Sequence, residues 1–199
     1  MAPAPAPSPP AAVLVHADES CLGNDRTKPS PGGNAALIEI PAGDSVARWD
    51  FYDCSPQTTN NRMALAGAIA TLEWVRRQWR QARVRYVSDS QYLIDGMREW
   101  VKEWQARGWK RKRGAVENLE LWQKLVQAAA AHAVDWQWVE GHAGHPKNEY
   151  ADFLAMRAAE RQERSNGLVP SGFDAWLAQQ RAQGTYRDYD PDPELHERV

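Results

Sequence analysis

The sequence predicts an α/β domain built on a mixed five-stranded sheet flanked by helices, in the order βββαβααβα. Three observations carry this. Short apolar stretches separated by Gly- and Pro-rich turns fill the chain up to Thr58, the pattern of an antiparallel meander. From Asn60 the apolar period lengthens to that of a helix. Two further short strands then alternate with helices, and such an alternation closes into a sheet with helices on its faces.

Element by element, "MAPAPAPSPPAA" (1–12) alternates proline with alanine. It favours hydrated, extended backbone, so a disordered tail is expected. "AVLVHA" reads as a buried strand ending at "DES", and "CLGNDRTKPSPGGN" is turn chemistry. "AALIEI" and "SVARWDFY", separated by "PAGD", are the next two strands. Leu65, Ile69, Leu72 and Trp79 recur at helical spacing, with Arg76, Arg77 and Arg80 on the polar side. "VRYVSDS" is a fourth strand and "SQYLIDGMREWVKEW" a helix. Gly108 and Gly114 bracket a basic loop, "ENLELWQKLVQAAAAH" is helical, and "VDWQWV" alternates as the fifth strand. A helix from about Lys147 to about Glu163 completes a domain spanning 13–163. The extension, 164–199, holds "FDAWLAQQRAQ", one amphipathic helix expected to dock through Trp176 and Leu177 or to stay mobile.

A length of 199 residues suits one domain with tails, and 43% hydrophobic with 25% charged residues suits a soluble globular chain. No apolar run approaches the ~20 residues that a membrane-spanning helix needs. The N-terminus lacks the basic and apolar regions of a secretion signal, and Cys21 and Cys54 are too few for a disulfide framework. A cytoplasmic monomer is therefore expected, with no membrane partner. The net charge of −2 conceals an uneven distribution. Residues 98–113 hold seven Arg or Lys against two Glu, while the last fourteen hold five acids against two Arg.

Three acids fall where elements change: Asp18 at the end of the first strand, Asp89 at the end of the fourth, and Asp152 early in the last long helix. Taken alone, each is more often a turn or helix-end residue. Grouped, and without a Cys or multi-His set, they suit a hard cation such as Mg²⁺ or Mn²⁺. A pair of such ions supports phosphodiester hydrolysis.

"DESCLGN", "TTNNRM", "SDSQYL", "RGWKRK", "NLELWQ" and "GHAGHPKNEYAD" occur in the order found in type 1 ribonuclease H, and over about Val13 to Glu160 the chain resembles that family. The resemblance implies a ribonuclease H-like fold and cleavage of the RNA strand of an RNA·DNA hybrid. It also implies two divalent ions, Mg²⁺ or Mn²⁺, held by a D-E-D-D carboxylate set. Asp18, Asp89 and Asp152 match the first, third and fourth acids, and His142 matches the loop histidine linked to proton transfer or product release. Cys21, Asn24, Asn60, Asn61 and Gln91 match positions that touch the minor groove. Amide side chains both donate to and accept from the 2′-hydroxyl that separates RNA from DNA. Thr59 and Asn118 match a pocket gripping a phosphate of the DNA strand, and Asn60 also suits a helix N-cap. The basic segment matches the family's protrusion, where Trp109, Lys110, Arg111, Lys112 and Arg113 suit a sugar-phosphate backbone. Trp100 and Trp104, one helical turn apart, are expected to pack together.

The second acid of the family set belongs in the helix after "NNRM", where this chain has Ala64. Glu73 is no substitute, because nine residues along a helix turn roughly 900°, to the opposite face. The family usually places Gly directly after the first Asp, and here that position is Glu19. Glu19 is thus a candidate to supply the lost carboxylate. Neighbours on a regular strand point to opposite faces, so a bulge or a twisted strand end is the expected means. Two alternatives stand beside relocation. One is an engineered glutamate-to-alanine change; the other is a natural, catalytically disabled protein that binds hybrids without cutting them.

Overall fold

The computed structural model describes residues 12–23, 30–42 and 45–192. Most of the Pro/Ala tail, Asn24 and the end of the acidic tail lie outside the described residues. β1 (Val13–Cys21), β2 (Ser30–Ala42) and β3 (Ser45–Thr58) form the expected antiparallel meander. β4 (Arg83–Ser88) and β5 (Ala133–Trp138) continue the sheet in parallel on the far side of β1. The expected five strands become six: β6 (Val169–Pro170) pairs with Trp49 and Asp50, giving the order β5-β4-β1-β2-β3-β6. Two residues carry no readable alternation, and Pro170 is accommodated because β6 is an edge strand.

β1 runs on through "DES" to Cys21, so Asp18 and Glu19 lie inside the strand rather than beyond it. β2 likewise absorbs "SPGG", which reads as turn chemistry. Gly33 shows why glycine stands there. A Cβ on it would lie 2.3 Å from the Ala155 carbonyl oxygen and 2.6 Å from the Ala159 nitrogen, both backbone atoms of a helix crossing the sheet. The residue that looks like a turn-former is the point where helix and strand touch.

The helices are α1 (Asn60–Gln78), α2 (Gln91–Asp95), α3 (Val101–Ala106), α4 (Leu119–Ala129), α5 (Pro146–Arg161) and α6 (Phe173–Ala182), with a π-helical turn at Gly96–Trp100 between α2 and α3. None among the described residues is long and apolar enough to cross a membrane. The cap of α1 is Thr59, whose hydroxyl accepts from the Arg62 N–H, so Asn60 is freed from the capping role. Alternation along the strands divides the core in two. Val13, Val15 and Ala17 of β1 with Ala36, Ile38 and Ile40 of β2 pack with α1 and α4. Ala35 and Leu37 pack with Tyr150, Leu154 and Ala155 of α5. On the first side Trp122 is fully buried, its indole N–H donating to the Tyr92 hydroxyl at 3.0 Å.

The extension docks, one of the two outcomes expected for it. Phe173 and Leu177 of α6 are buried against the α5 side, and Trp176 packs on Tyr150 at 5.4 Å between ring centres. Beneath them, Lys147 and Glu39 form an ion pair at 2.8 Å with both side chains fully buried. Arg48 joins that pair by contacting Glu39 at 2.9 Å and ties in the extension through Asp174 at 3.1 Å and Asp192. A buried charge pair is tolerable only when closely matched, and this one fixes α5 to β2.

Candidate active site

Pairing between β1 and β4 ends at Ala17 and Ser88, so past that point β1 has an open flank. Asp18, Glu19 and Asp89, the first residue after β4, converge there. One carboxylate oxygen from each lies within 4.8 Å of the others. No bulge brings this about: β1 stays in register with β2 through Asp18↔Ala35 and Glu19↔Asn34. The two neighbours do emerge on opposite faces. Asp18 is buried toward α5, where its Oδ2 accepts from Asn148 Nδ2 at 3.0 Å, and its Oδ1 accepts from the Glu19 N–H at 2.7 Å. Glu19 continues the Val13–Val15–Ala17 row that packs with α1, and it hydrogen-bonds the Ser90 side chain. That is the face covered by the helix carrying Ala64, which is itself a buried core residue packed among its neighbours. A carboxylate on Glu19 therefore enters the cluster from the same side as one from α1 would.

Crowding is visible in the electrostatics. Burial, with the charges of Asp89, Glu19 and Asp152, pushes Asp18 up to about 9. Burial pushes Glu19 up to about 8, against the pull of the Ser90 hydrogen bond. Burial also raises Asp89 and Asp152, while the charge of His142 draws both back down. Asp152, in α5, is outside the group of three but adds its field to Asp18 and Asp89.

The donor set fits a hard divalent cation. Its ligand atoms are all carboxylate oxygens, and one buried acceptor nearby, Asn148 Oδ1, has no hydrogen-bond partner among the described residues. Asn148 is missing from the sequence-derived set. Its signal was its place four residues before Asp152, hence on the same helix face. Gly141 is a second omission: a Cβ there would lie 2.2 Å from Asp89 Oδ2. His142 is exposed in the same loop with φ 55, whereas His145 caps α5 and stacks near His16 at 5.0 Å, as a structural histidine does.

A cleft of about 930 Å³ leads away from the carboxylates. Glu19, Cys21, Thr59, Asn60, Asn61, Asp89 and Gln91 all line it. Trp138 lines it too, its indole N–H donating to the Asp89 carbonyl at 3.0 Å. Asn118 sits at the start of α4 in the left-handed region, with Oδ1 accepting from Arg62 Nη1 at 3.1 Å and Nδ2 donating to the Tyr92 hydroxyl. Arg62 thus links Thr59 to Asn118, a cation whose place inside "NNRM" does not by itself mark it as part of the site. Lys110, Arg111, Lys112 and Arg113 are exposed in the loop after α3, between Gly108 (φ 65) and Gly114 (φ 73). Trp109 is half-buried against the main core, and Trp100 packs on Trp104 at 6.0 Å as expected.

The RNase H family profile matches residues 10–160. Ribonuclease H of Methylococcus capsulatus is 43% identical over 157 residues, 78% of this chain and 94% of that protein. Ribonuclease H of Syntrophotalea carbinolica is 45% identical over 147 residues, 73% of this chain and 90% of that one. Among solved structures, the crystal structure of LC9-RNase H1, described as a type 1 RNase H with the type 2 active-site motif, is similar. It shares 47% identity with a TM-score of 0.82, covering 90% of this chain and 86% of that one.

Proposed function

This chain belongs to the ribonuclease H family of metal-dependent hydrolases that degrade RNA in RNA·DNA hybrids, and we propose that its Glu19 supplies the carboxylate that Ala64 lacks. The chain is an endoribonuclease acting on such hybrids. The observation that carries the relocation is the meeting of Asp18, Glu19 and Asp89 within 4.8 Å on an undistorted strand. The likeness to LC9-RNase H1 supports it, since that protein is described as a type 1 RNase H with the type 2 active-site motif.

In this reading Asp18, Glu19, Asp89 and Asp152 would hold two ions, Mg²⁺ or Mn²⁺, with Asn148 orienting Asp18. Bound there, such ions would supply activation of a water and stabilisation of the leaving oxygen of the phosphodiester. His142, exposed beside Asp89 and Asp152, moves a proton at the departing group. Asn60, Asn61 and Gln91 in the cleft read 2′-hydroxyls, with Cys21 beside them and Asn24 assigned the same task from sequence alone. Thr59, Arg62 and Asn118 grip a DNA-strand phosphate, and Lys110 to Arg113, with Trp109 at their base, follow the backbone. The catalytic unit is 13–163, with the described part of the extension, residues 164–192, docked against it, working as a cytoplasmic monomer.

The test is cleavage of an end-labelled RNA·DNA hybrid in Mg²⁺ and in Mn²⁺, with duplex DNA alongside. The expected products carry 5′-phosphate and 3′-hydroxyl ends, from the RNA strand alone. Hybrid binding without cleavage at any metal concentration marks a disabled site, and cut duplex DNA marks a different nuclease.

A further inference from the structure

A run of hydrogen bonds connects the extension to the His142 loop. Glu149, in the first turn of α5, accepts from the Gly144 N–H through Oε1 at 3.1 Å. Its other oxygen, Oε2, accepts from the Tyr186 hydroxyl. Tyr186 is itself anchored. Its ring lies 6.0 Å from that of Trp176, and its carbonyl accepts from Arg181 Nε at 3.4 Å. The loop needs such a hold, because His142 (φ 55) and Gly144 (φ 81) both occupy the left-handed region. For a side chain such as histidine that conformation persists only when its surroundings impose it. Tyr186 also lies beyond residue 160, where the family match ends.

We propose that Glu149 and Tyr186 are positioning residues for His142: the docked extension latches the loop through one shared carboxylate, so that a segment outside the family match sets the rate of turnover. The proposal rests on the reading of His142 as the proton-moving group. It makes the extension part of the reaction rather than a passive cover for α5.

Tyr186→Phe in the full chain tests it, since the ring that packs on Trp176 is kept and only the hydroxyl is removed. Amide exchange across residues 139–149 should become about tenfold faster, and kcat on hybrid should fall about tenfold, the equivalent of one charge-assisted hydrogen bond, with KM unchanged. In a His142→Ala background the same change should lower kcat no further. Unaltered exchange overturns the latch, and so does an equal fall in kcat in both backgrounds. A parent chain that does not cut hybrid at all would count against the family reading of this site, while the exchange measurement still decides the latch.

Discussion

Burial and the neighbouring acids hold Asp18 far above the ordinary carboxylate range, and its titration contributes to how the metal-free protein responds to pH. Its folded-state value of about 9 lies far above the ordinary 3.8, so between those values the folded chain binds more protons than the unfolded one. Raising the pH through that window therefore removes stability. Glu19, at about 8, acts in the same direction. Thermal unfolding without metal should show Tm falling from about pH 4 to about pH 9, with Mg²⁺ raising Tm more as pH rises. Asp18→Asn should flatten the slope and raise metal-free stability by about 1–2 kcal/mol, or very roughly 2–8 °C in Tm. A Tm that climbs with pH in the absence of metal would contradict this. At this scale Asp18, Asp89 and Asp152 could be singled out, because each sits in one of the strings that match the family, although Asp18 lies inside β1 and Asp152 inside α5 rather than at their ends. Asn148 and Gly141 were not: one acts through a hydrogen bond across 130 positions, the other through the space that a Cβ would fill.

α5 and β2 are the pair of elements on which the site depends, since α5 carries Asn148 and Asp152 while β2 holds β1 in place. Their closest approach is at Gly33, where backbone meets backbone. Gly33→Ala should push α5 outward, destabilising by about 1–3 kcal/mol or more, and should lower kcat as Asn148 withdraws from Asp18. Denaturant unfolding together with hybrid cleavage checks both halves; a stable, fully active variant would show that α5 is not seated as described. α1 and α5 were readable in the sequence because long helices repeat their apolar spacing several times. The full lengths of β2 and β3 were not, because Pro31, Gly32, Gly33 and Pro56 at their ends look like the residues of a turn. β6 was hidden for the opposite reason, being too short to have a pattern.

As a whole the molecule carries little net charge, and it gathers cations in the loop after α3 and sets Arg62 beside the cleft, where the proposed reading lays the hybrid. Neutralising Lys110, Arg111, Lys112 and Arg113 together should weaken hybrid binding and flatten its dependence on salt, by roughly 0.7–0.9 in the log–log slope for each phosphate that the loop no longer neutralises. The rate at saturation should stay the same, since none of the four touches the carboxylates. An unchanged slope in a salt titration would remove the basic loop from the interface. The sequence disclosed the sign and place of this patch. It could not disclose that two adjacent residues on opposite faces of a strand meet beyond the end of β4, a fact of sheet topology. That meeting is the central claim, and cleavage of labelled hybrid in Mg²⁺ by the parent chain and by Glu19→Gln tests it most directly. If Glu19 is the displaced ligand, the parent cuts and the variant loses on the order of 100-fold or more in rate while still binding hybrid. A Glu19→Gln protein that cuts as fast as the parent would leave Ala64 uncompensated and the relocation wrong.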